Sequence, residues 1–327
     1  MIDAQALPAA LASVLDATRV ENLRVLTGGA SRATWAFTAD DRPLILRTGP
    51  PGEIHAGMEL EAAALRRAAA AGAPVPAVLA ASDSTEPLGD PYLVCEFIEG
   101  ETIVRKIART LDDASRTALL TQCARALAAI HRADPDGIGL PVLDPLPDSR
   151  RRLDEMGDTT ATFEYAFRWL ENHRPAPAPP VLVHGDFRMG NLIVDAGRLA
   201  AVLDWELSHM GAAAEDLAWF CIRAWRFGAP KELGAGGLGS IDDFVTAYQD
   251  AGGAAVDRGA LHWWLVLATL RWGVICRYQY ERHRCGQTRS VELAAIGRRV
   301  CETEYDLLSL LEGFDGQERR DVGSENR

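Results

Sequence analysis

One stretch constrains this chain more than any other: Val183-His184-Gly185-Asp186-Phe187-Arg188-Met189-Gly190-Asn191, followed by Val202-Leu203-Asp204-Trp205-Glu206. It sets Asp186, Asn191 and Asp204 on two apolar, strand-like runs separated by a short turn at Asp195-Ala196-Gly197-Arg198. Short apolar runs bounded by turn residues read as strands. A carboxylate, an amide and a second carboxylate therefore come from one short segment.

That trio suits one chemistry. Phosphoryl transfer needs a carboxylate to orient the attacking hydroxyl, plus an amide and another carboxylate to hold magnesium against nucleotide phosphates. The spacing from Asp186 to Asn191 is that of the Asp and Asn in a protein-kinase catalytic loop, and a metal-binding Asp lies downstream there too. Gly185, however, stands where protein kinases carry Arg, and Asp204-Trp205-Glu206 replaces Asp-Phe-Gly. No Ala-Pro-Glu follows Asp204, which argues against a protein kinase. The variant resembles the aminoglycoside phosphotransferase and choline kinase superfamily, whose members phosphorylate small molecules. The resemblance implies ATP and Mg2+, with Asp186 orienting the hydroxyl and Asn191 and Asp204 as metal ligands. His184 would brace the loop, Arg188 would stabilise transferring charge, and Glu206 would support a metal through water. A rival reading, a metallohydrolase built on His184, Asp186, Asp204 and His209, lacks a third close His and leaves Asn191 without a task.

The formal net charge of −12 argues against a nucleic-acid partner, because phosphate backbones bind basic faces. It does not exclude ATP, which a few local cations and backbone amides can hold. The six cysteines show no C-x-x-C spacing and read as reduced thiols, pointing to a cytoplasmic protein. The opening Met1-Ile2-Asp3-Ala4-Gln5 has no basic segment or long apolar core, so no secretory signal is expected. Leu261 to Cys276 is rich in Trp, Leu and Val but falls short of the roughly 20 apolar residues of a membrane span. With His262 and Arg271 inside it, it reads as a buried helix, and no membrane partner is expected.

The order of elements supports two lobes. A helix over Leu7 to Ala17 precedes three strand-like runs, Leu23 to Leu26, Thr34 to Phe37 and Leu44 to Arg47, which predict an antiparallel meander. A helix over Glu59 to Ala71 ends at Gly72, and a strand runs from Tyr92 to Ile98. From Asp112 the pattern turns helical, with Leu119, Cys123, Ala126, Leu127 and Ile130 on one face. The expected fold is α+β and protein-kinase-like. It divides into a sheet-bearing N-lobe over 1–99, a mainly helical C-lobe over 100–315 and a charged, frayed tail over 316–327. Pro175 to Pro180 and the Gly-rich Ala229 to Ser240 read as connectors.

The remaining candidates follow from the resemblance. Gly28 and Gly29, between two strands, would let backbone approach a polyphosphate, and Ser31 would add a hydroxyl donor. Arg47 takes the place of the strand lysine that protein kinases pair with a helix Glu. It keeps the charge, but a planar fork differs from an ammonium in reach. Its partner is expected to be Glu61 rather than Glu59. Glu96 and Ile98 flank the linker whose backbone would read the adenine edge. His131 reads as a structural histidine, and Asp216 as a helix cap supporting the catalytic loop. Arg271, inside an aromatic helix, either pairs with Glu215 or Asp216 or holds a substrate anion. This helix, Arg47 and the Asp-Trp-Glu are similar to the kinase-like domains fused to some acyl-CoA dehydrogenases. That branch implies a hydroxylated acyl or acyl-CoA acceptor, whereas the wider family implies an aminoglycoside-like one. A catalytically silent nucleotide-binding module is the competing class.

Overall fold

A computed structural model describes residues 5–26, 32–49 and 57–325, with side chains to residue 312. The chain forms two compact units, one of residues 1–141, 181–210 and 246–253, the other of 142–180, 211–245 and 254–327.

The first unit opens with α1 (Leu7–Leu15), then β1 (Val20–Leu26), β2 (Ala33–Ala39), β3 (Arg42–Thr48), α2 (Met58–Ala70), β4 (Val78–Ser82) and β5 (Tyr92–Glu96). The strands make one antiparallel sheet in the order β1-β2-β3-β5-β4. Leu7 and Leu11 of α1 pack with Phe37, Leu44 and Leu46 to form its core. Side chains alternate across a strand, so burying Leu44 and Leu46 sends Arg47 to the opposite face. The strand β4 was not expected, because Ala80-Ala81-Ser82 in Val78-Leu79-Ala80-Ala81-Ser82 carries little β propensity.

After α3 (Val104–Thr110), α4 (Asp113–Arg132) is capped by Asp112, whose carboxylate accepts from the Ser115 N–H at 2.8 Å. Leu119, Cys123, Ala126, Leu127 and Ile130 are all buried on it. Beside α4 lie β6 (Val181–Val183), β7 (Leu192–Asp195) and β8 (Arg198–Val202), with β9 (His209–Gly211) paired to β6. The β7–β8 turn holds Ala196 and Gly197 at φ 46° and 76°, the left-handed pair that a tight hairpin requires. The first unit thus takes in α4 and this hairpin as well as the N-terminal sheet.

The second unit is helical: α5 (Pro145–Glu155), α6 (Ala161–Asn172), α7 (Ala213–Cys221), the start of α8 (Ile241–Asp250), α9 (Arg258–Arg284), α10 (Val291–Gly297) and α11 (Val300–Glu325). Its core joins Phe163, Leu170, Trp263, Val266, Leu270, Leu307 and Leu311. By length and composition alone α9 is apolar enough to cross a membrane, but 56% of its most apolar window is buried within the protein. At 27 residues it runs well beyond the apolar stretch seen in the sequence. Likewise α11 continues to Glu325 where a frayed tail was expected after Phe314. The six cysteines are all free, four of them buried.

Candidate active site

The hairpin β7–β8 brings two of the polar residues together. Leu192 faces Val202 in its register, and the Leu203 N–H donates to the Asn191 carbonyl at 2.8 Å. Asn191 and Asp204 thus flank the open end of one hairpin. The Asn191 amide donates to the Asp186 side chain at 2.7 Å and to its backbone carbonyl at 2.9 Å. Its Oδ1 has no protein donor among the described residues. Arg188 meets the Asp186 carboxylate through Nε, 3.1 Å from each oxygen.

His184 ties the loop down with both ring nitrogens. Nδ1 accepts from the Asp186 N–H at 3.2 Å, which leaves Nε2–H to donate to the Leu203 carbonyl at 2.9 Å. The ring therefore links the residue before Asp204 to Asp186 itself. Gly185 has φ 84°, and a Cβ there would lie 2.5 Å from the Leu207 carbonyl oxygen. No side chain fits, which is the physical reason this loop cannot carry the arginine of protein kinases.

A second cluster surrounds Glu61, which is fully buried on α2. One of its oxygens accepts from Arg47 and the other from Arg32. Arg47 also donates to Asp204 at 2.8 Å and reaches Glu206 at 3.5 Å, and Arg32 reaches Glu206 at 3.5 Å. Burial works against the Arg47 charge, but the fields of Glu61, Asp204 and Glu206 hold its guanidinium above the ordinary value. Burial, and then the neighbouring Asp204, push Glu206 up to about 7. Among the described residues two guanidiniums face three carboxyl groups, an acidic balance that a divalent cation would relieve. Asp204 holds this position at φ 68°, a conformation that costs a non-glycine residue energy and is concentrated at functional sites.

Arg47 meets Glu61 and not Glu59, whose carboxylate instead accepts from the Asp83 N–H at 3.3 Å. Arg32 is the member that sequence reasoning missed. It follows the Gly28-Gly29 pair in sequence, and nothing local signals its burial. Gly28, Gly29 and Ser31 lie outside the described residues. Glu96 ends β5 with its side chain half exposed, and the Ile98 N–H finds no acceptor among the described residues. His131 is buried and shares a 2.8 Å hydrogen bond with Tyr248. In the second unit Arg271 donates to Glu215 at 2.6 Å and lies over the Trp219 ring. Of the two readings of Arg271, the structure shows the internal ion pair. Asp216 is fully buried in the first turn of α7, but the cap position belongs to Ala212.

For the metallohydrolase reading, no group of three or more His, Cys, Asp and Glu able to hold a metal occurs among the described residues. Asn191 Oδ1 and the Asp204 carboxylate are hard oxygen donors in an acidic surrounding, the chemistry magnesium prefers.

A model of the APH phosphotransferase enzyme family matches residues 22–264. The chain is 27% identical over 314 residues to acyl-CoA dehydrogenase family member 10 of Mus musculus, covering 88% of this chain but 29% of that protein. A Ralstonia eutropha structure assigned to the aminoglycoside phosphotransferases matches with a TM-score of 0.77 at 21% identity, over 96% of this chain and 99% of that one. The aminoglycoside phosphotransferase APH(4)-Ia, in a ternary complex with ADP and hygromycin B, matches at 0.64 and 17% identity, over 94% and 98%. Such identities speak for the fold: a kinase-like antiparallel sheet followed by a mainly helical region.

Proposed function

This chain belongs to the phosphotransferase enzyme family, and we propose that it transfers the γ-phosphoryl group of ATP to a hydroxyl of a small molecule in the presence of magnesium. The observation that carries this reading is the hydrogen-bonded Asp186–Asn191 pair, held beside Asp204 by one hairpin. Asp186 accepts the hydroxyl proton as the oxygen–phosphorus bond forms and the bond to the ADP oxygen breaks. An ordinary carboxylate is sufficient, since positioning and electrostatics dominate this chemistry. Arg188 keeps positive charge beside the reacting oxygen. Asn191 and Asp204 would hold magnesium, which when bound neutralises charge on the phosphates.

Arg47 supplies the cation for the nucleotide phosphates, and Glu61, braced by Arg32, sets its direction. Gly28, Gly29 and Ser31 would approach the phosphates from the β1–β2 turn. The Ile98 N–H and the backbone at Glu96 would read the adenine edge. For the acceptor, the acyl-CoA dehydrogenase relative favours a hydroxylated acyl or acyl-CoA compound, and the complex with hygromycin B favours an aminoglycoside-like one.

The test is ADP release over a panel containing hydroxyacyl compounds, their CoA esters and hygromycin B. At least one acceptor should raise ADP release above the acceptor-free rate, and EDTA should abolish it. Thermal stabilisation by magnesium-ATP without turnover on any acceptor would instead identify a silent nucleotide-binding module.

A further inference from the structure

The second unit contains a cavity of about 380 Å³ formed by the loop after α7 together with α9 and α11. That volume lies within the range of small-ligand sites. Arg223, Arg226 and Arg299 line it beside the carboxylates of Glu302 and Asp306. Two of the three arginines are matched: Arg223 donates to Asp306 at 2.7 Å, and Arg299 to Glu302 at 3.2 Å. Arg226 is not. Its donors reach two backbone carbonyls, those of Gly234 and Cys221, both at 3.3 Å. No carboxylate among the described residues lies within ion-pair distance of it, and its Nη1 donates to none of them.

A guanidinium stays charged at any ordinary pH and carries five donors, so a half-buried one with two long carbonyl contacts is short of acceptors. Burial accordingly depresses its basicity. Cys221 ends α7, so part of the Arg226 fork does what basic residues commonly do at a helix C-terminus. That duty leaves the remaining donors without a carboxylate partner among the described residues. The same cavity has an aromatic side. Trp272 lines it, with the Arg299 guanidinium 5.3 Å from its ring centroid, and so does Phe227, 44% exposed.

We propose that this cavity binds a small organic anion, a carboxylate or phosphate monoester, whose charged head meets Arg226 and whose apolar body lies against Trp272 and Phe227. A bidentate contact to such an oxyanion is the geometry a guanidinium matches best. The ligand is a separate small-molecule effector, and its binding is independent of the phosphotransfer reading above.

Binding can be followed without turnover through tryptophan fluorescence, with phenyl phosphate, benzoate and inorganic phosphate as probes and sodium chloride at matched ionic strength as control. Saturable changes are expected, tighter for phenyl phosphate than for inorganic phosphate. Arg226→Met should weaken both phosphates at least tenfold, and Arg226→Lys by less. Phe227→Ala, at a position 44% exposed, should weaken phenyl phosphate while leaving inorganic phosphate unchanged. A change reproduced by chloride, or Arg226→Met binding like the wild type, would overturn the proposal. So would Phe227→Ala with unaltered phenyl phosphate affinity. In turnover assays, phenyl phosphate should alter kcat in the wild type and not in Arg226→Met. Absence of turnover on every acceptor would count against phosphotransfer and leave the binding result standing.

Discussion

Replacing Glu61 with Gln tests the buried charge cluster most directly. The change preserves shape and an acceptor but removes the charge that Arg32 and Arg47 share. The Arg32 side chain is only 3% exposed and would retain Glu206 at 3.5 Å. Removing one partner of a buried pair costs about 3–5 kcal/mol, because the other charge stays out of water. The remaining Glu206 and the Gln carbonyl place the expected loss near the lower end, at about 3 kcal/mol. At roughly 2 °C per kcal/mol for a chain of this size, the melting temperature should fall by about 6 °C. Scanning calorimetry without nucleotide measures this. The double variant Arg32→Met with Glu61→Met removes both charges, and its loss should be smaller than the sum of the two single losses by at least about 1 kcal/mol. A Glu61→Gln protein melting within 1 °C of wild type, or strict additivity in the cycle, would show that Arg32 and Glu61 do not act as a pair.

Asp186→Asn should keep magnesium-ATP binding while lowering kcat by about two orders of magnitude or more, the usual scale for losing a positioned proton acceptor; near-normal turnover would remove Asp186 from the mechanism. Asp204→Asn should instead weaken the magnesium-dependent part of nucleotide binding, read by titration with and without EDTA. Arg271→Met leaves Glu215 buried without its 2.6 Å partner, so stability should drop by about 3 kcal/mol with unchanged nucleotide KM. Gly185→Ala forces a Cβ against the Leu207 carbonyl at φ 84°, and a loss of about 1–3 kcal/mol in urea unfolding, together with lost activity, is expected.

Much of the N-terminal sheet was legible because its evidence is local. The three runs between Val20 and Thr48 lie close together along the chain, so neighbours in sequence become neighbours in the sheet. For α2 the spacing of apolar residues and the terminating Gly72 predicted the helix nearly to its ends, and for α4 the apolar face after Asp112 predicted where it begins. Misses fell where local signals weaken. The alanine-rich β4 exists because β5 offers it an edge to pair with. The length of α9 is decided by the helices packed around it, which shelter turns too polar to read as a continuation of the apolar run.

The sequence alone determined the constellation of Asp186, Asn191 and Asp204, because the hairpin from Leu192 to Val202 needs only turn chemistry between two short apolar runs to close. It also determined that Arg47 would stand opposite the sheet's buried face, a consequence of strand alternation. Tertiary structure decided which charges meet. Arg32 joins Glu61 across 29 positions, and Arg47 joins Asp204 across 157. The choice of Glu61 over Glu59, and of Glu215 as the partner of Arg271, was settled the same way. Each of these pairs depends on desolvation by surrounding packing, and a residue's burial is a property of the whole fold, which no local pattern of residues contains.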